Sequence, residues 1–200
     1  MEKYNIILNK IINKFNILQE RLRNIDFSTI VPVHELGLNQ NEVYHGSSSH
    51  GKKLRNVFKV LNIKSADSIL DIGCAKGGAM YEMYNFPFKR IDGIEISNFL
   101  TCIAKKNIQT LKMSKSTIYN IDAQLFNSYD LYNYFYLYNP FDKETFDNVI
   151  RLIINKNKNF IMIYNNPKFH DLLMSYGLKV LHDMPGRYDH RIFIYKYKKL

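Results

Sequence analysis

Cysteine is scarce: Cys74 and Cys102 are the only thiols in 200 residues. Two thiols make no disulfide framework, and the expected setting is a reducing cytoplasm. No apolar run approaches the roughly 20 residues that a membrane-spanning helix needs. The opening residues are studded with polar side chains, so the apolar core of a signal peptide is not expected either. His, Cys, Asp and Glu nowhere fall at metal-ligand spacing, so no metal is expected. Internal repeats are missing, and nothing suggests a second domain.

What is there suits one globular domain, with 46% hydrophobic residues in a length that encloses a full core. Lys and Arg number 28 against 18 Asp and Glu, a formal charge of +10. Basic surfaces bind phosphates by releasing counterions, so a nucleic-acid or other anionic partner is compatible with this charge. The lysines are scattered, however, in short clusters such as Lys52-Lys53, Lys105-Lys106 and Lys196-Lys198-Lys199. That distribution favours solvated surface over a phosphate track.

The stretch Ser68-Ile69-Leu70-Asp71-Ile72-Gly73-Cys74-Ala75-Lys76-Gly77-Gly78 organises the rest. An apolar run meets an acidic residue, and small residues follow before a helix-like segment containing Met80, Met83 and Tyr84. A buried parallel strand passes to a ligand-binding turn in this way. Glycine admits close backbone approach, and a helix start presents unpaired N–H groups. Upstream, Leu54, Val57, Phe58 and Leu61 share one face of a helix beginning near Lys52, for which Ser49 is a suitable cap.

Two further strand patterns end on carboxylates: residues 91–95 at Glu95, and residues 117–121 followed by Asp122. The spacing leaves room for crossover helices, the second over residues 97–113. A carboxylate at the end of the second strand accepts well from ribose hydroxyls. A carboxylate beside a helix start or a cap also explains each position without a ligand. A fourth strand, residues 132–138, closes on Asn139-Pro140-Phe141. Helix 143–154 and strand 160–164 lead to a second such turn, Asn165-Asn166-Pro167. Pro167 suits the first turn of the next helix, and Asn165, Asn166 and His170 fall near the carboxyl edge. Residues 178–182 and 191–195 flank Met184-Pro185-Gly186-Arg187-Tyr188, a hairpin of antiparallel strands.

The turn after the first strand resembles motif I of the class I S-adenosylmethionine-dependent methyltransferases, acidic-x-Gly-x-Gly-x-Gly. Asp71, Gly73 and Gly77 fit, while Ala75 replaces the middle glycine. Read as Gly73-x-Ala75-x-x-Gly78, the same turn is a variant dinucleotide fingerprint. The terminal hairpin favours the methyltransferase family, whose last strand lies antiparallel beside strand five. The resemblance implies an α/β, Rossmann-like seven-stranded sheet, order 3-2-1-4-5-7-6 with strand 7 antiparallel, plus an N-terminal helical extension.

The resemblance further implies S-adenosylmethionine as cofactor. Asp71, Gly73, Cys74, Ala75 and Gly77 fall at its methionine end, Glu95 at the ribose and Asp122 at the adenine, with Ile96 and Ala123 as further cofactor-binding residues. Asn139, Pro140 and Phe141 resemble the Asn/Asp-Pro-Pro-aromatic motif of amine-methylating branches, short of one proline. An amine or planar nitrogen is therefore the expected acceptor, its identity open. A non-catalytic S-adenosylmethionine-binding module and an NAD-linked Rossmann oxidoreductase are the alternatives.

The expected division is an extension over residues 1–50 and a methyltransferase domain over residues 51–200. In the extension, Tyr4, Ile7, Leu8, Ile11, Phe15, Leu18 and Leu22 share one helical face, expected to cap the site, pack on the domain or form a homodimer. Tyr44-His45-Gly46-Ser47-Ser48-Ser49-His50 is dense in hydrogen-bonding groups. Tyr44 and His45 are the candidate lid residues at the site.

Overall fold

Apolar runs form the middle of a parallel sheet because they are buried on both faces, which selects near-continuous hydrophobic strands. The computed structural model describes residues 14–29, 31, 50–186 and 190–199. Strands β1 (Ser68–Ile72), β2 (Arg90–Glu95), β3 (Ile118–Asn120), β4 (Tyr134–Tyr138) and β5 (Asn159–Asn165) run parallel. Strand β7 (Arg191–Lys198) enters antiparallel to β5, and β6 (Lys179–Pro185) pairs antiparallel with β7. The order is β3-β2-β1-β4-β5-β7-β6, the one that the resemblance implies.

Helices cover both faces. Alternation along β1 sends Leu70 and Ile72 to one side and Ile69 to the other. Phe146, Val149, Ile150 and Ile153 of α5 (Lys143–Lys156) pack on the first side, with Leu173 of α6 (His170–Ser175). Leu54, Val57 and Phe58 of α2 (Lys52–Lys59) pack on the second, with Met80 and Met83 of α3 (Gly78–Met83). Ala104 of α4 (Asn98–Thr110) joins them there. The carboxyl ends of β1 to β5 therefore share one edge, between the two helical layers.

Several expectations are corrected. Residues 14–22 are helical (α1), yet Phe15, Leu18 and Leu22 are exposed, Leu22 at 81%. The helix docks through Glu20 instead, whose carboxylate accepts from the N–H groups of Phe27 and Ser28 and from the Ser28 hydroxyl. Ile25 and Phe27, beyond the helix, supply the apolar burial, with Phe27 stacked on Tyr81. Tyr4, Ile7, Leu8 and Ile11 lie outside the described residues.

The N-cap position of α2 is Gly51, and Ser49 lies outside the described residues. β4 begins at Tyr134 because Tyr132 turns its hydroxyl to Asp92, 2.7 Å away, and Asn133 Oδ1 accepts from the Ser68 N–H. Pro167 precedes the first turn of α6, which starts at His170. Met184 and Pro185 extend β6 rather than forming the turn.

Candidate functional site

The turn after β1 is fixed first by its own backbone. The N–H groups of Gly73 and Cys74 both donate to the Ile94 carbonyl, at 2.9 and 3.0 Å. Gly73, Ala75 and Gly77 alternate in the left-handed region, at φ 74°, 47° and 81°. Glycine adopts that region freely, whereas alanine is strained there. Ala75 is nevertheless retained, its methyl packed with buried Val31 and Leu100. At Gly73 a side chain is also excluded by space, because a Cβ would lie 2.8 Å from Pro140 Cβ. The glycine loop and the turn after β4 are thus in contact, which unites two motifs far apart in sequence.

Two carboxylates lie beneath this loop. Asp71 is buried, and its Oδ2 has no hydrogen-bond partner. Burial pushes its carboxyl well above the ordinary carboxylate range, and the nearby charge of Glu95 pushes it further. Glu95 ends β2 with Oε2 accepting from the Ala75 N–H and Oε1 from the Ser97 N–H, each at 2.9 Å. Burial raises its carboxyl too, against the lowering effect of those N–H donors. Each of its oxygens retains a further acceptor position. Burial also raises the Cys74 thiol, keeping it in the poorly nucleophilic protonated form.

Beside Glu95, Ile96 presents an apolar side chain that is 49% exposed. Asp122 follows β3, half-buried, with Oδ1 accepting from the Gln124 N–H as a cap and Ala123 buried next to it. The cap foreseen from sequence is present, and it occupies one carboxylate oxygen. Asn120, which sequence reasoning missed, braces this corner by donating from Nδ2 to the carbonyls of Glu95 and Ile96, both at 2.9 Å. A side-chain amide ending a strand carries no pattern that distinguishes this role.

Across the glycine loop, Asn139 is buried at φ 42°, and its Oδ1 accepts from the Tyr164 hydroxyl at 3.2 Å. Burial raises the Tyr164 phenol, so it remains a donor. Pro140 and Phe141 are half-buried at the mouth of this turn. In the next turn, buried Asn165 donates from Nδ2 to the Tyr136 hydroxyl at 3.1 Å, while its Oδ1 has no partner. His170 is set back from the edge, its Nδ1 2.8 Å from the Tyr195 hydroxyl and its ring edge-on to Phe193. Tyr44 and His45 lie outside the described residues. Among the described residues no group of His, Cys, Asp and Glu is arranged to hold a metal, and no helix is long and apolar enough to cross a membrane.

The structure matches solved methyltransferases in fold. A SAM-dependent methyltransferase from Aquifex aeolicus aligns with 72% of this chain and 88% of its own, TM-score 0.59, at 9% identity. A ribosomal protein methylase from Lactobacillus delbrueckii subsp. bulgaricus aligns over 74% and 78%, TM-score 0.58, at 14% identity. A precorrin methyltransferase from Geobacter metallireducens aligns over 75% and 93%, TM-score 0.56, at 15% identity. No family model matches the sequence, and no curated protein matches it. The chain has the Rossmann-like fold of the class I methyltransferases, with the same sheet order and antiparallel β7.

Proposed function

We propose that the protein is an S-adenosylmethionine-dependent methyltransferase that modifies an amine or planar nitrogen. The observation that carries this reading is the contact between the Gly73 turn and Pro140 above a buried, partnerless Asp71 oxygen. The donor set fits the cofactor: two adjacent carboxylates, one with an unsatisfied oxygen, suit a ligand with cationic ammonium and sulfonium groups. Bound S-adenosylmethionine supplies a methyl made electrophilic by its sulfonium. In this reading Asp71 and the backbone of residues 73–77 receive the methionine end. Glu95, already oriented by two N–H donors, accepts from the ribose through its remaining acceptor positions. Ile96 covers one face of the adenine, and Asp122 accepts from its amine beside Ala123.

Asn139 orients the acceptor. Its Oδ1 has a second lone pair beyond the one taken by Tyr164, and its backbone carbonyl follows at the same strand end. Phe141 offers a ring against which a planar acceptor stacks. Holding the nitrogen in line with the methyl is the main task, because a neutral amine attacks unaided and loses its proton afterwards. Residues 51–200 carry this chemistry, with residues 1–50 as an extension. The non-catalytic and NAD-linked alternatives find less support, since the fold neighbours are methyltransferases and the β6–β7 hairpin belongs to that fold.

The test separates binding from turnover. Amines and nucleobases are screened with methyl-labelled cofactor, and Asn139→Ala is then compared with wild type. Cofactor affinity should stay within about threefold while kcat/KM falls about tenfold, the worth of one hydrogen bond of about 1.4 kcal/mol. Tyr164→Phe removes only the partner of Asn139 and should retain most activity. Full activity in folded Asn139→Ala would reduce that turn to a strand terminator.

A further inference from the structure

Lys76 sits inside the glycine loop, yet it is 1% exposed. Its ammonium lies 2.7 Å from Asp26 Oδ2 and 2.6 Å from the Thr29 carbonyl. Both partners belong to residues 25–29, the segment that follows α1. Asn107 of α4 ties the same pieces together again. Its Oδ1 accepts from the Asp26 N–H at 2.9 Å, and its Nδ2 donates to the carbonyls of Asp26 and Lys76 at 2.8 and 3.0 Å. Val31, just beyond, is buried with Leu100 against Ala75. The loop is therefore held from beneath by Glu95 at the Ala75 N–H, and from outside by residues 25–29 and Val31.

A buried ammonium is costly unless it is paired and hydrogen-bonded. A tight turn by itself needs no lysine here, and a solvated side chain would serve. The ammonium donates to Asp26 Oδ2 and the Thr29 carbonyl, both in the segment after α1, so the charge ties that segment to the loop. The loop in turn needs external support, because Ala75 at φ 47° occupies a region that persists only where surroundings over-determine it.

We propose that Lys76 and Asp26 are positioning residues for the cofactor: residues 25–29 form a strap whose grip on Lys76 holds residues 73–77 in the ligand-accepting conformation. The proposal rests on the methyltransferase reading and adds to it a control on cofactor affinity outside the binding cleft. Strap and cofactor then engage the same loop cooperatively, and by linkage each stabilises the other.

Hydrogen exchange on the full chain, without ligand, reads the loop directly. Asp26→Asn keeps the shape and one acceptor oxygen but removes the charge facing Lys76. Exchange at residues 73–78 should then rise about tenfold while β4 and β5 are unchanged. The dissociation constant for S-adenosylhomocysteine, by calorimetry, should rise about tenfold. Asp26→Glu restores the carboxylate, and Asp26 borders a cavity of about 370 Å³ that takes the extra methylene. That variant should recover both readouts, which a role confined to side-chain shape would not produce. In the wild type, S-adenosylhomocysteine should slow exchange across residues 25–29.

Loop exchange in Asp26→Asn equal to wild type overturns the proposal, as does faster exchange with unchanged affinity, or a Glu variant no better than Asn. Should Asp26→Asn fail to fold, Val31→Ala trims the packing just beyond the strap without unpairing a charge. It should move both readouts the same way, and no movement in either refutes the grip. A wild type that binds no S-adenosylhomocysteine sinks the methyltransferase reading, and the exchange comparison then decides alone whether the strap holds the loop.

Discussion

Replacing Asp71 by Asn separates what this residue does for the fold from what it does for a ligand. In the wild type its side chain is buried, with one oxygen unpartnered. Burial first, and the charge of Glu95 second, raise its carboxyl well above the reference value of 3.8. The folded state therefore binds this proton more tightly than the unfolded state. Stability from this group is fully present below the unfolded pKa and declines as pH rises towards the elevated folded value. At neutral pH the group opposes folding. Asn has nearly the same shape and cannot ionise, so Asp71→Asn should stabilise the ligand-free protein at neutral pH, because the unfolded chain no longer gains by releasing this proton. For a chain of this size each kcal/mol raises Tm by about 2–4 °C.

The ligand side has the opposite sign. A cationic ligand loses a hydrogen bond to a charged partner, about 1.5–3 kcal/mol, or roughly 10–150-fold in Kd. Thermal unfolding without ligand near pH 5 and pH 8, beside calorimetry with S-adenosylmethionine, reads both effects. The Tm gain should be larger at the higher pH. A lowered Tm at both pH values, or an unchanged Kd, would refute the reasoning.

Ala75→Gly removes left-handed strain of about 1–2 kcal/mol but also deletes a methyl packed on Val31 and Leu100, worth about 0.8 kcal/mol, and loosens the unfolded chain. Denaturant unfolding should shift by less than about 1 kcal/mol, with cofactor affinity preserved or tightened; loss of binding in a folded variant would show that the loop is misassigned. Ile96→Ala, at an exposed apolar position, should change unfolding stability by no more than about 0.5 kcal/mol. Its cofactor affinity should nevertheless fall about tenfold if Ile96 covers the adenine, and calorimetry with S-adenosylhomocysteine detects this.

The sheet was legible because its strands are short apolar runs whose ends are marked by Asp71, Glu95, Asp122 and the two Asn-Pro turns. The β6–β7 hairpin was legible as two strand patterns around a turn, while the antiparallel place of β7 beside β5 came from the family resemblance. At α1 periodicity marked the helix and its apolar face, but Phe15, Leu18 and Leu22 are exposed rather than packed on the domain. The helix is anchored by a buried carboxylate, Glu20, gathering N–H groups from the chain that follows it, a contact with no hydrophobic period to announce it. Lys76 escaped notice for a similar reason. Its partners Asp26 and Thr29 are about 50 residues upstream by the chain, and lysine in a glycine-rich turn ordinarily signals a solvated cation. The motif marked Ala75 only as a departure from glycine, and its packing on Val31 and Leu100 depends on contacts distant in the chain.

Calorimetry of the full chain with S-adenosylhomocysteine and, in parallel, with NAD tests the central claim most directly. The arrangement of Asp71, the Gly73–Gly77 turn and Glu95 predicts saturable binding of S-adenosylhomocysteine, with NAD at least about tenfold weaker. Tight binding of NAD with no binding of S-adenosylhomocysteine or S-adenosylmethionine would contradict the account.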